Sequence, residues 1–87
     1  MLSPDMQRIE KIRDYCVRVE NAIDRFGNKF DSFRNDIDYQ MVVSFCILQI
    51  GELSGALSME YREATASRIQ WGPIKGMRNW AAHRYAA

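Results

Sequence analysis

A chain of 87 residues forms one domain at most and buries only about 60–65% of the surface that its unfolded form exposes, so a monomer should be marginally stable. Its 47% hydrophobic content excludes a disordered chain, and its longest apolar stretch, residues 41–50, has about half of the roughly twenty residues that cross a bilayer. The net charge of +1 indicates no strong electrostatic partner for the chain as a whole.

The charge is unevenly distributed along the chain. Residues 67–87 contain four basic residues and no acidic one, whereas residues 1–66 contain eight basic and eleven acidic residues, a net charge of −3. A basic end on an acidic domain is consistent with binding a phosphate backbone or with docking onto an acidic protein. Chance scatter in so short a chain is the third explanation.

The two cysteines are not arranged for metal binding or for a disulfide framework. Cys16 and Cys46 are far apart in the sequence, and each stands among apolar residues. The chain shows no leader with a basic start and an apolar middle. We therefore expect two buried, reduced cysteines in a cytoplasmic protein.

The first helix is predicted to begin at Pro4, because Ser3 can cap the free amides of a helix start and proline suits the first helical position. Gly27 is a natural stop. Between these residues one apolar stripe recurs at intervals of three and four: Ile9, Ile12, Cys16, Val19, Ile23 and Phe26. In the connector that follows, Phe30 and Phe33 should pack against the core.

A second helix is predicted from about residue 36 to about 58, with Asn35 or Asp36 as its cap. It is apolar almost all the way round, which one neighbouring helix cannot cover, so self-association is the simplest expectation. Gly51, Gly55, Ser54 and Ser58 form a run of small residues that would let another backbone approach closely. Glu52 is the polar exception, either at the rim of the core or facing a functional site.

The last third of the chain contains a short helix or loop over residues 59–66 and then a terminal helix. Ser67 and Gln70 have the spacing of a capping box, in which case Pro73 would kink the helix; a start near Gly72 would place Pro73 at its first position. Either start leads to a helix from about 73 through 84. The fold class is therefore all-α, an antiparallel bundle of three to four helices.

Candidate functional residues are concentrated in the terminal helix. Arg78 and the only histidine, His83, are five residues apart, a rotation of about 140° and a rise of about 7.5 Å, so they converge only if another surface closes a groove between them. Asn79 lies four residues before His83 and within its reach. The same residues could instead belong to a plain packing helix, and their spacing does not decide between the two.

The chemistry of this set suits phosphoryl transfer on RNA. A histidine can move a proton, an arginine can hold a phosphate through two parallel hydrogen bonds, and the 2′-hydroxyl of RNA can be the nucleophile. No cofactor or metal is needed, and one histidine with two separated cysteines cannot form a zinc site of the usual kind.

The string IQWGPIKGMRNWAAHRY resembles the signature of the HEPN superfamily, in particular its HepT-type ribonuclease toxins. The segment ILQIGELSGAL, residues 47–57, is similar to the central helix of that family around its Ile-Gly-Glu triplet. The positions of the terminal string that match are Trp71, Ile74, Gly76, Met77, Arg78, Asn79, His83 and Tyr85.

The resemblance implies an all-α bundle that dimerises, so that two copies of the motif line one cleft in which RNA is cut without metal. It implies that Arg78 stabilises the phosphate in the transition state, that His83 moves the proton and that Asn79 orients one of them. A nucleotidyltransferase antitoxin would be the partner, and Tyr85 would be the residue to which adenylyl groups are attached.

The chain departs from this pattern at its end, because relatives usually continue past the tyrosine into another helix. A single HEPN domain over residues 1–87 that lacks the family's last helix is therefore expected, as a short variant or a truncated chain. Two rival interpretations stay open. One is a non-catalytic binding module that dimerises and binds a nucleotidyltransferase or a nucleotide, and the other is a structural bundle without a site.

Overall fold

The computed structural model describes residues 2–83, and these residues form five helices and no strand. This confirms the all-α class. The helices are α1 (Pro4–Phe26), α2 (Phe30–Asn35), α3 (Ile37–Ala56), α4 (Met59–Thr65) and α5 (Trp71–Ala81). The long helix α3 is central, with α1 and α5 packed against it and the short α2 beside it. The bundle therefore consists of three long helices and two short ones.

Side-chain caps set the starts of three helices. Ser3 Oγ accepts the Met6 N–H at 3.2 Å at the start of α1, as predicted, and Asp36 Oδ1 accepts the Asp38 N–H at 2.9 Å at the start of α3. Ser58 caps α4 in the same way. At its other end α1 stops at Gly27, whose φ of 108° is a conformation that glycine adopts at little cost.

Of the two starts that the sequence left open for the terminal helix, the structure has the one near Gly72 and not the one at Ser67. The carbonyl oxygen of Thr65 accepts the N–H groups of Arg68 and Ile69, both at 2.9 Å, so the chain forms a turn there. The helix begins at Trp71, close to the alternative start near Gly72. Pro73 then lies in the first turn, where its missing N–H would have had no partner within the helix, and no kink results.

Two predictions of burial are wrong. Cys16 is exposed, because α1 turns Ala22 rather than Cys16 fully into the bundle, although Cys46 is buried as expected. Burial raises the pKa of the Cys46 thiol. Phe30 is 72% exposed, whereas Phe33 packs edge-on against Tyr39 with ring centroids 5.2 Å apart.

The core is thin and is made mainly of small residues. The buried apolar residues of the described chain are Ala22, Tyr39, Cys46, Leu57 and Ala81. Many large apolar side chains stay exposed: Leu2, Met6, Val17, Phe30, Ile37, Met41, Val42, Phe45, Met59, Met77 and Trp80. One copy of the chain thus leaves a large apolar surface in contact with water.

Among the described residues, no single helix is long and apolar enough to span a membrane. Only α3 and α4 taken together reach that length and composition, and the two helices meet at an angle of 107°.

Candidate active site

Arg78 lies where α5 packs most closely against α3. A Cβ atom placed on Gly51 would overlap Cβ and Cγ of Arg78 and would lie 3.5 Å from its Cα. Only glycine leaves room for this approach, since the stem of the arginine lies directly on the backbone of α3. Gly55, one turn further along α3, has no atom within 4 Å of such a Cβ. Of these two glycines in the predicted small-residue run, only Gly51 is used for the contact.

The guanidinium of Arg78 is held by two acceptors from different helices. Its Nε donates to Oε1 of Glu52 at 2.8 Å, and its Nη2 donates to the same oxygen. Its Nη1 donates to Oδ1 of Asn79 at 2.9 Å. Because a guanidinium has five N–H donors, these bonds leave two N–H groups without an acceptor among the described residues.

The ion pair between Arg78 and Glu52 orients the arginine more than it stabilises the fold. The side chains are 38% and 58% exposed, and exposed pairs contribute only about 0–1 kcal/mol because water screens them. A carboxylate that fixes Nε and Nη2 nevertheless restricts the direction in which the remaining N–H groups point. Glu52, predicted either at the rim of the core or at a site, lies at this site.

His83 is exposed and follows the last turn of α5. It lies five residues after Arg78 and beyond the end of α5, whereas the stem of Arg78 packs on α3. Among the described residues of one chain, Arg78 bonds to Glu52 and Asn79 and not to His83. Asn79 contacts Arg78, one of the two residues that it was predicted to orient. Tyr85 lies outside the described residues.

The start of α5 is anchored by a hydrogen-bonded pair that the sequence did not indicate. The Trp71 indole N–H donates to Oγ1 of Thr65 at 3.1 Å, and this buried hydroxyl donates to the carbonyl oxygen of Tyr61 at 2.8 Å. The end of α4 is thereby joined to the beginning of the helix that carries Arg78.

Beside Arg78 lies an open groove with a volume of about 540 Å³. Its walls come from α3, α4 and α5: Gly51, Glu52, Ser54, Gly55, Ala56, Arg62, Trp71, Gly72, Lys75 and Arg78. Sequence reasoning missed Arg62, since the segment MEYREATA was interpreted as polar connector. The basic end of the chain indicated Lys75 only as part of a general excess of charge.

Residues 2–83 contain no group of three or more His, Cys, Asp or Glu side chains that could hold a metal ion.

The family model for ribonuclease HepT-like proteins matches residues 6–87, nearly the whole chain. The chain belongs to the ribonuclease HepT-like family. This confirms the resemblance to HEPN proteins, and the family's description as ribonucleases indicates RNA as the substrate class. Comparison with curated proteins and with solved structures finds no match.

Proposed function

We propose that this chain is a metal-independent endoribonuclease that acts as a homodimer, with Arg78 and His83 as its catalytic residues. The family indicates a ribonuclease, and the observation that carries the proposal is the arrangement around Arg78. Glu52 and Asn79 take three of its N–H groups and leave two for a phosphate. An arginine fixed in this manner is suited to bind a phosphate and to offset the charge that grows on it.

The proposed reaction uses the substrate's own 2′-hydroxyl. Its oxygen attacks the adjacent phosphorus, a 2′-O–P bond forms and the bond from phosphorus to the 5′ oxygen of the next nucleotide breaks. His83 accepts the proton from the 2′-hydroxyl and returns it to the departing 5′ oxygen, which leaves a 2′,3′-cyclic phosphate and a 5′-hydroxyl, and Arg78 stabilises the pentavalent phosphorus between these steps. Each atom of the reaction is supplied by RNA and two side chains, so no metal is required.

In this proposal a second copy of the chain completes the site, because Arg78 bonds to Glu52 and Asn79 and not to His83 among the described residues of one chain. The exposed apolar surface supports such an assembly. Phe45 is 54% exposed and lies two turns before Glu52 on the same side of α3, while Met77 and Trp80 are exposed on α5. A partner chain that covers these apolar residues would contact the two helices that carry Glu52 and Arg78.

The expected partner is a nucleotidyltransferase antitoxin in the cytoplasm, which would modify Tyr85. An adenylyl group two residues from His83 would place a bulky anion beside the catalytic imidazole and exclude RNA by charge and size. This part of the proposal follows from the resemblance to HepT-type toxins and from membership of the ribonuclease HepT-like family.

The test compares cleavage of single-stranded RNA by the wild-type protein and by His83→Ala, with and without EDTA. We expect the wild type to cut RNA in either condition, and His83→Ala to lose cleavage while keeping its dimer mass and melting temperature. Dimerisation without cleavage by the wild type would favour the binding-module interpretation. Loss of folding in His83→Ala would favour a structural role.

A further inference from the structure

The groove beside Arg78 combines positive charge with open backbone. Arg62, Lys75 and Arg78 supply three cations against the single carboxylate of Glu52, which is already bound to Arg78. At Gly55 and Gly72 no atom lies within 4 Å of an added Cβ, so a ligand can approach the backbone there. An anionic ligand fits this lining better than a neutral or cationic one.

Two polar atoms in the wall of the groove have no partner among the described residues. Ser54 is only 6% exposed, and its Oγ makes no hydrogen bond. The Nε atom of Arg62 is also buried and also makes no hydrogen bond. A buried donor without an acceptor costs roughly 1–3 kcal/mol, so folded proteins rarely retain one without a reason. Both residues line the groove, so an oxygen-rich ligand that reaches these two atoms would be an acceptor for both.

Two of the three cations, Lys75 and Arg78, lie along one stripe of α5. Trp71, Lys75 and Arg78 have helical spacing on α5, and Gly51, Ser54 and Gly55 face them from α3. Lys75 precedes Arg78 by about 4.5 Å along the helix axis, and both side chains are long. Neighbouring phosphates of one strand can therefore be held by the two residues together.

We infer that this groove, formed by Ser54, Arg62, Lys75 and the backbone at Gly55 and Gly72, binds the RNA backbone phosphate next to the one that Arg78 contacts. The inference rests on the proposed function, since it assumes that Arg78 holds the scissile phosphate. Its ligand is the sugar-phosphate backbone of single-stranded RNA. Lys75 and Arg62 supply charge, and the Ser54 hydroxyl donates a hydrogen bond to a phosphate oxygen.

The test measures binding of a fluorescein-labelled 2′-O-methyl RNA to the full chain by fluorescence anisotropy across a range of salt concentrations. This probe lacks the 2′-hydroxyl and cannot be cut. We expect Lys75→Gln to raise Kd roughly 3- to 10-fold and to reduce the salt slope by about 0.7, the value for one phosphate contact on a single strand. Ser54→Ala should raise Kd roughly 3-fold without lowering the melting temperature.

The matched control is Lys29→Gln, which removes the same charge from the turn before α2 and should leave Kd and slope unchanged. An equal loss of RNA affinity in Lys75→Gln and Lys29→Gln would overturn the inference, because it would indicate non-specific electrostatic attraction between the chain and RNA. Unchanged RNA affinity in both variants would show that RNA does not bind in the groove. Cleavage separates the two proposals. If the wild type cuts RNA but Lys75→Gln binds normally, only the groove is refuted; if the Lys75 effect appears without cleavage, only catalysis is refuted.

Discussion

At the level of single residues, Arg78 has two tasks that only an arginine can combine. Its stem fills the space over Gly51, and its N–H groups bond to Glu52 and Asn79, which leaves two for the phosphate of the proposed mechanism. A lysine keeps the charge but has a single point of contact, so it cannot hold an acceptor on one edge and a phosphate on another.

Arg78→Lys should therefore lower the rate of RNA cleavage by about 100-fold while raising Kd for RNA only about 2- to 3-fold. The measurement is single-turnover cleavage beside binding of an RNA that cannot be cut. Arg34→Lys is the matched control, because Arg34 pairs only with a carboxylate of its own short helix among the described residues. Equal activity of Arg78→Lys and the wild type would contradict the proposal that one edge of the guanidinium binds Glu52 while another binds a phosphate.

At the level of helices, the close contact between α3 and α5 depends on the absence of a side chain at Gly51. Gly51→Ala should lower the free energy of unfolding by about 1–2 kcal/mol, because relief of the overlap with Arg78 costs more than the roughly 1 kcal/mol that alanine gains in a helix. Chemical denaturation followed by circular dichroism measures the change.

The control for this prediction is Gly55→Ala, on the same helix and with open space at its Cβ. It should raise the free energy of unfolding by about 0.5–1 kcal/mol, since only helix propensity changes. Equal free energies of unfolding for the two variants would contradict the close packing of α5 on α3 at Gly51.

A second contact between helices depends on pH. The carboxylate of Asp5 on α1 accepts the hydroxyl of Ser58 at 2.6 Å and its N–H at 2.9 Å, where α4 begins. These two hydrogen bonds, with a smaller contribution from Arg8, lower the pKa of Asp5 below its ordinary value of 3.8. Because the folded-state pKa is lowered, the resulting stability is present above 3.8 and is lost as the pH falls through the folded-state value.

Asp5→Asn should therefore have a lower melting temperature than the wild type near neutral pH, and the difference should shrink as the pH falls below 3.8. Thermal unfolding over a pH series measures it. Ser58→Ala should lose the larger share of the same pH-dependent part, since it removes the hydroxyl that the carboxylate accepts and leaves the backbone N–H bond in place. A difference between Asp5→Asn and the wild type that is constant with pH would contradict the assignment.

At the level of the whole molecule, the exposed apolar residues on α3 argue for an assembled form. Phe45→Asp should convert a dimer to a monomer while helical content is kept, because the ring is 54% exposed in a single chain and contributes little to its core. Light scattering after size exclusion gives the mass. Phe30→Asp, at an even more exposed ring on α2, should leave the dimer intact. A dimer that survives Phe45→Asp would place the interface elsewhere.

Much of the fold followed from local signals in the sequence. The caps Ser3 and Asp36 and the stop at Gly27 act on their own backbone neighbours, so the limits of the first helix and the start of the central one were predicted correctly. Of the two starts left open for the terminal helix, the one at Ser67 does not form because the Thr65 carbonyl forms a turn that competes with it. Cys16 was predicted to be buried because it belongs to the apolar stripe of α1. The spacing of apolar residues does not show which part of such a stripe a neighbouring helix covers.

The sequence by itself determined the helical class and carried the motif that resembles the family, because these depend on composition and short-range spacing. It also named Arg78, Asn79 and His83 as candidate site residues. Only the tertiary structure showed that Glu52 binds Arg78, that Gly51 makes room for it and that Ser54, Arg62 and Lys75 share a groove. These residues are 20 or more positions apart or on different helices. Their proximity depends on how the helices rotate and pack, which no local pattern encodes.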